Sequence, residues 1–464
     1  MSNLNSEMIG VESDITNMPI KTVPQSSTKR ESRRRRLMAK AFKPAIREGT
    51  VVLFDQGFCS IANFMTGILV ARACSKDEYG VYVLGFTLLV TVELVQRCLI
   101  SVPLTVLSPH LEGRDYTAYL GNTLIHHFVF SGIATVGFVL AASILFLTKQ
   151  GHGMRAVLIV LSFASVPMLL RDFMRYVLLA QLRVWQSLLM GLAANVAIVG
   201  MLSWSYVGGW LTAPVAYLIL GGCSGLPAII MLLSIGRYLR PAKNRLLHDL
   251  RKDWRFGRWT LAATGASMIG ERSVPWFVLF WCGSSSVAVF GVLMAMAGII
   301  RPLIMGVSAY LTPKLAHHIK SRGSASAIKV CMKVIGAMGI LGGVYVVFMW
   351  VLGEKMVGLL YTVRYQGYLM TLGIIAIGTS LGAICTILKA LIRVIGNPEI
   401  EFWSSGCASV VCIIISISLI PRLGILGAAI AITGTNLTFA VVTGLRIAWI
   451  ARSPVISYGI RIGV

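Results

Sequence analysis

Tyr79-Gly80-Val81 and Phe290-Gly291-Val292 are one short phrase written twice, about 210 residues apart. Further matches keep the same offset to within one residue. Pro103 recurs as Pro313, and Leu178, Ala180, Arg183 and Val184 recur as Leu388, Ala390, Arg393 and Val394. A bundle duplicated in one chain predicts two lobes facing each other, with a substrate path between them.

The rest of the chain sets that repeat in a membrane. Of 464 residues, 56% are hydrophobic and 13% charged, against about a quarter charged in soluble domains. The apolar residues fall in blocks of roughly 20 or more, the length of a bilayer-spanning helix. Twelve such blocks can be drawn, six on each side of the polar stretch 236–259. The expected fold is therefore an all-α polytopic membrane protein, with twelve transmembrane helices in two six-helix pseudo-symmetric lobes. The expected organisation is a disordered basic N-terminal segment over 1–48, an N-lobe over 49–236, a basic linker over 237–259, a C-lobe over 260–452 and a tail over 453–464.

Charge supplies the orientation. The net charge is +24, but the basic residues sit at the ends of apolar blocks, which is membrane topology rather than a nucleic-acid surface. Ten Lys and Arg precede the first block, and Arg237, Arg240, Lys243, Arg245, Arg251, Lys252, Arg255 and Arg258 fill the central loop. The alternate loops hold only Arg72, Lys76, Lys149, Arg155, Lys355, Arg364 and Arg422. Both termini are thus expected in the cytoplasm. In 241–256, Leu246, Leu247, Leu250 and Trp254 recur at helical spacing among basic residues. That predicts a helix in the cytoplasmic interface against anionic lipid, with a solvated linker as the other reading.

Soluble-enzyme motifs are missing. The chain has no phosphate-binding GxxxxGK[ST], no HExxH and no CxxC, so no enzyme, cofactor or metal site is expected. Nine scattered cysteines read as small packing residues. His110, His126, His127 and His152 near helix ends, and His317-His318 beside basic residues, read as solvated side chains.

The informative polar residues are those inside apolar blocks. Asp55 falls in the first block, Glu93 and Arg97 in the second, Glu271 and Arg272 in the seventh and Arg301 in the eighth. A charge at bilayer depth costs several kcal/mol unless it faces a cavity or a partner. On one reading, Arg97, Arg272 and Arg301 line a cationic cavity for an anionic head group. On the other, Glu93 and Arg97, four residues apart, form an internal ion pair. Asp55, Glu93 and Glu271 are also candidates for proton or sodium coupling. Arg171 and Arg175 stand near a helix end, where they would gather phosphates at the cavity mouth or simply anchor the helix.

Several local patterns match one family. Glu78-Tyr79-Gly80-Val81-Tyr82 resembles the acidic-Tyr-Gly-x-Tyr turn in the polysaccharide branch of the multidrug/oligosaccharidyl-lipid/polysaccharide (MOP) flippase superfamily, the branch of the O-antigen flippases. Tyr310-Leu311-Thr312-Pro313-Lys314-Leu315-Ala316, the run Leu388 to Pro398, and Gly424-Ile425-Leu426-Gly427-Ala428-Ala429 are similar to that branch's later helix ends. The resemblance covers about 45–450. It implies a V-shaped flippase of undecaprenyl-pyrophosphate-linked glycans in the bacterial inner membrane, serving surface polysaccharide synthesis. The implied partners are the lipid-linked oligosaccharide, membrane lipids, a polysaccharide polymerase and glycosyltransferases. The chain departs from 14-helix members in lacking a final helix pair. The multidrug branch, exporting organic cations through cavity carboxylates, and a non-transporting scaffold for glycan assembly are the competing readings.

Overall fold

In the computed structural model, the described residues are Val51, 54–149, 151–236, 239–395 and 397–452. The segments 1–48 and 453–464 of the expected organisation lie outside them. Helix α1 covers 54–73. It is followed by α2 (Lys76–His110), α3 (Gly113–Leu147), α4 (His152–Ala180), α5 (Val184–Val207) and α6 (Ala213–Gly236). The second half contains α7 (Leu246–Cys282), α8 (Ser284–Thr312), α9 (Ser326–Leu360), α10 (Leu369–Ile395), α11 (Pro398–Leu423) and α12 (Ile425–Arg452). Each expected apolar block lies on one of these helices. Ten of them are long and apolar enough to cross a membrane by length and composition, and no strand occurs among the described residues.

The termini of the helices follow local rules. Ser75 caps α2, its hydroxyl accepting from the Glu78 N–H at 3.2 Å, while Asp77 and Glu78 complement the positive helix end. Glu78 then accepts from the Ala213 N–H at 2.9 Å, tying the start of α6 to α2. Gly283, at φ +82°, turns α7 directly into α8. A side chain there would strain the backbone.

Residues 243–245 form one 3₁₀ turn, and α7 then runs from Leu246 to Cys282 unbroken. The basic linker helix and the seventh pass are one rod.

Apolar packing joins the halves unequally. At the end carrying Ser75, Gly283 and Thr362, one core is shared by both halves: Ile68, Tyr79, Tyr82 and Tyr217 pack with Val287, Phe290, Tyr361 and Tyr365. At the linker end each half has its own core, around Leu104, Phe173 and Leu178 in the first and Leu315, Cys331 and Leu391 in the second. The repeated phrase lies in the shared core. A Cβ on Gly80 would come 2.0 Å from the Ser284 carbonyl oxygen, and one on Gly291 would come 2.6 Å from Val83. Glycine at 80 admits the Ser284 backbone and glycine at 291 admits the Val83 side chain, so α2 and α8 approach closely.

Polar contacts reinforce this seal. The Asp77 carboxylate accepts from the Ser284 hydroxyl and from Ser285 at 2.8 Å. Arg72 donates to the Leu360 carbonyl at 2.7 Å, and Arg364 donates back to Ala71 at 2.8 Å. Tyr79 meets Tyr365 edge-on, with ring centroids 6.2 Å apart. Beneath these rings sits Cys74, 2% exposed. Burial pushes its thiol up to about 12, with the neighbouring Glu78 carboxylate adding to the shift.

Candidate functional site

Helix α2 changes pitch where its charge lies. Arg97–Ser101 forms a π turn, followed by Pro103. Pro103 has no N–H for the preceding turn, which is why the regular ladder gives way here. The wider turn directs Arg97 to α4, where its Nη2 donates to Asp172 at 3.1 Å. Its guanidinium also lies 5.7 Å from the Tyr176 ring centroid. Glu93 is therefore not the hydrogen-bonded partner of Arg97. It sits within electrostatic reach of Asp172, Arg171, Arg97 and Arg272.

The first half binds a second pair deeper between helices. Arg175 Nη2 donates to Asp55 Oδ2 at 2.7 Å and to Gln56 at 3.4 Å. The Asp55 side chain is 8% exposed. Helix α5 fits over it because Gly191 has no side chain; a Cβ there would come 2.8 Å from Asp55 Oδ1. Arg171 serves both carboxylates, lying in reach of Asp55 and of Glu93. Asp55, Glu93 and Asp172 are thus matched by Arg97, Arg171 and Arg175 within the first half.

The second half is not matched. Arg272 lies near Glu271, Arg301 and Glu93, and Glu271 also lies near Lys389, as both surround Cys385. Lys389 rests its ammonium 4.8 Å from the Phe439 ring centroid. Arg301 stands at the start of a helical stretch, with its side chain exposed. Arg272, Arg301 and Lys389 face one carboxylate of their own half, Glu271, which is itself exposed. A static bundle would leave such charges paired or absent.

The structure thus brings Glu93 of the first half near Arg272 of the second, and Arg272 near Glu271 and Arg301. It places Arg175 and Asp55 together inside the first half. Lys389 went unread in the sequence because it sits in a run notable only for its repeat. Asp172 was legible as a charge beside Arg171, but its partner lies 75 positions away, beyond any local spacing rule.

No family model matches the chain, and no curated protein does. Solved structures do. An inward-facing multidrug resistance transporter of the MATE family, in the MOP superfamily, superposes with a TM-score of 0.67 at 15% identity, covering 85% of this chain and 96% of that one. The lipid II flippase MurJ in an inward closed conformation gives 0.63 at 14% identity, over 85% and 87%. A MOP superfamily transporter from Pyrococcus furiosus, described as having a binding pocket of reversed polarity, gives 0.63 at 13% identity, over 88% and 96%. The chain has the polytopic, two-lobed fold of MOP superfamily transporters.

Proposed function

We propose that this protein is a transporter that flips a lipid-linked, pyrophosphate-bearing oligosaccharide across the bacterial inner membrane for surface polysaccharide synthesis. The observation that carries this reading is the uneven charge: the first half neutralises itself, while Arg272, Arg301 and Lys389 outnumber Glu271 in the second. Guanidinium groups hold a pyrophosphate through paired, charge-assisted hydrogen bonds. The fold supports alternating access, and the flippase among its structural neighbours supports a lipid-linked cargo. The sealed Ser75 end would face outward, because Lys and Arg concentrate at the other end. The reading of Arg97 as a cavity ligand weakens, since Asp172 already holds it. An organic-cation exporter would use Asp55, Glu93 and Glu271; Asp55 is paired to Arg175, while Glu93 and Glu271 each lie within reach of arginines.

The test is translocation of a fluorescent polyprenyl-pyrophosphate oligosaccharide in proteoliposomes. Arg272→Ala and Arg301→Ala are each expected to slow it at least about tenfold, the loss of one charge-assisted contact. Each variant should keep the wild-type melting temperature within about 2 °C, because both side chains lack a hydrogen-bonded carboxylate. Arg301→Lys should recover part of the rate, keeping charge but not the fork. Unchanged flipping in both alanine variants would sink the reading, and lost export of organic cations with normal flipping would favour the multidrug alternative.

A further inference from the structure

The first turns of α7 sort their residues by face. The two acids of this stretch turn inward: Tyr119 on α3 donates to Asp253 Oδ1 at 2.6 Å, and Asn122 Nδ2 donates to Asp249 Oδ2 at 2.7 Å. His126 Nε2 meets the Leu246 carbonyl oxygen at 3.1 Å. Far from being solvated, as the sequence suggested, His126 is 6% exposed and His127 wholly buried. Gly257 completes the contact, since a Cβ there would come 2.7 Å from the Cys98 carbonyl oxygen on α2. These contacts recur at three- and four-residue spacing along α7 and fix its rotation.

What that rotation leaves outside is basic and aromatic. Arg251, Arg255 and Arg258 are exposed, and Trp254 and Trp259 are 53% and 70% exposed. No carboxylate is exposed between Leu246 and Trp259. The Arg258 guanidinium rests 5.6 Å from the Trp259 ring centroid. The same face continues down the helix. Arg251 lies 18 residues before Ile269, which is five full turns, and Arg258 lies eleven before it, about three turns. Ile269 is 61% exposed, and Phe280, eleven residues further on, is 80% exposed. Apolar side chains so exposed on a spanning helix face lipid, and the arginines stand on the same line.

The depth of this face follows from α11, which runs beside α7. The Cys412 thiol donates to the Gly270 carbonyl at 3.4 Å, and a Cβ on Gly424 would come 3.9 Å from the Cys282 sulfur. Both pairs are 142 positions apart, so Pro398, where α11 begins, is level with position 256. The apolar run of α11 starts after Glu401, which is level with Trp259. Trp259 thus stands at the hydrocarbon boundary, with Arg258, Arg255 and Trp254 within about 8 Å beyond it. A headgroup layer is about 5–8 Å deep. Leu247 and Leu250 lie one to two turns beyond Trp254, so the face is shorter than the sequence pattern predicts.

We propose that Trp254, Arg255, Arg258 and Trp259 bind the phosphate headgroups of anionic phospholipids in the leaflet at the linker end. Guanidinium groups pair with the phosphate oxygens, and indoles sit at headgroup depth with the ring body toward the chains. A zwitterionic lipid offers the same phosphate but sets an ammonium beside it, against the arginines. An anionic lipid adds no such repulsion. Because Asp249 and Asp253 are turned to α3, nothing on this face repels the anion. Arg245 is held by Asp115 and takes no part.

Tryptophan quenching of the full-length protein in nanodiscs tests this. Every disc holds phosphatidylcholine with a minority of phosphatidylglycerol. Bromines on the acyl chains near the headgroup are carried either by the phosphatidylglycerol or by an equal amount of the phosphatidylcholine. The signal of the two indoles is the difference between the wild type and Trp254→Phe/Trp259→Phe. One arginine near the surface favours an anionic lipid by about fivefold. Brominated phosphatidylglycerol should therefore quench that signal at least about threefold more than brominated phosphatidylcholine. Arg255→Gln/Arg258→Gln, altering two exposed side chains, should bring the two lipids to equal quenching. Equal quenching in the wild type would overturn the proposal. So would no quenching by either lipid, the result for a solvated linker, or a preference that survives in the double-glutamine variant. No transported substrate enters the assay, so failure here and failure of the flippase reading are distinguishable.

Discussion

Gly80→Val is expected to break the seal at the Ser75 end and to slow transport at least about tenfold. The ideal Cβ at position 80 falls 2.0 Å from the Ser284 carbonyl oxygen, and backbone cannot yield as a flexible side chain can. Overpacking of this kind costs about 1–3 kcal/mol, which shifts a two-state equilibrium by roughly fivefold to more than a hundredfold. The α2–α8 contact must part, and with it the Asp77–serine bonds and the Tyr79–Tyr365 contact over Cys74. Cys74 then reports the opening. In the wild type it is buried and its thiol is held protonated well above neutrality, so a maleimide at pH 8 should react slowly. In Gly80→Val, labelling of the peptide carrying Cys74, quantified by mass spectrometry, should rise at least about tenfold. Wild-type labelling together with wild-type transport would show that this contact is not the seal.

Arg175→Ala is expected to destabilise the protein by about 3 kcal/mol, among the largest costs of any single charge removal in the first half. The loss comes from what stays behind. Asp55, 8% exposed, would lose its 2.7 Å partner beneath α5, with Gly191 closing the space above it. Arg171 remains near but is shared with Glu93. Adding Asp55→Asn to Arg175→Ala removes the stranded charge and should recover half or more of the stability, whereas Asp55→Asn alone should cost less than Arg175→Ala. Thermal unfolding in one detergent, read as a double-mutant cycle, checks this. Simple additivity would mean that the two side chains act independently, against the geometry. Arg301→Ala is the useful contrast, because its exposed guanidinium predicts lost transport with little lost stability.

Much of this molecule was legible before any coordinates. Apolar blocks of spanning length report helices because, in lipid, every backbone N–H and C=O must be satisfied within its own segment. Local sequence is then enough. The repeat reported two lobes for the same reason, since both copies obey one packing solution. The glycines of the repeated phrase even marked the close approach of α2 and α8, although only the coordinates showed which atoms they admit. The candidate site was half legible. The sequence placed Asp55, Glu93, Arg97, Glu271, Arg272 and Arg301 on apolar blocks, but the pairing rule of four residues joined Glu93 to Arg97, where the π turn at Arg97 sends that side chain to Asp172.

The sequence by itself determined the helices and which of them carry the charges, because period and length act along the chain. Tertiary structure alone decided which charges cancel. Arg97 with Asp172 and Arg175 with Asp55 meet across 75 and 120 positions. Hydrogen bonds form only within about 3 Å, so only contact between helices can make these pairs. Whether a buried charge is spent on the scaffold or left for a ligand is set by which helices touch.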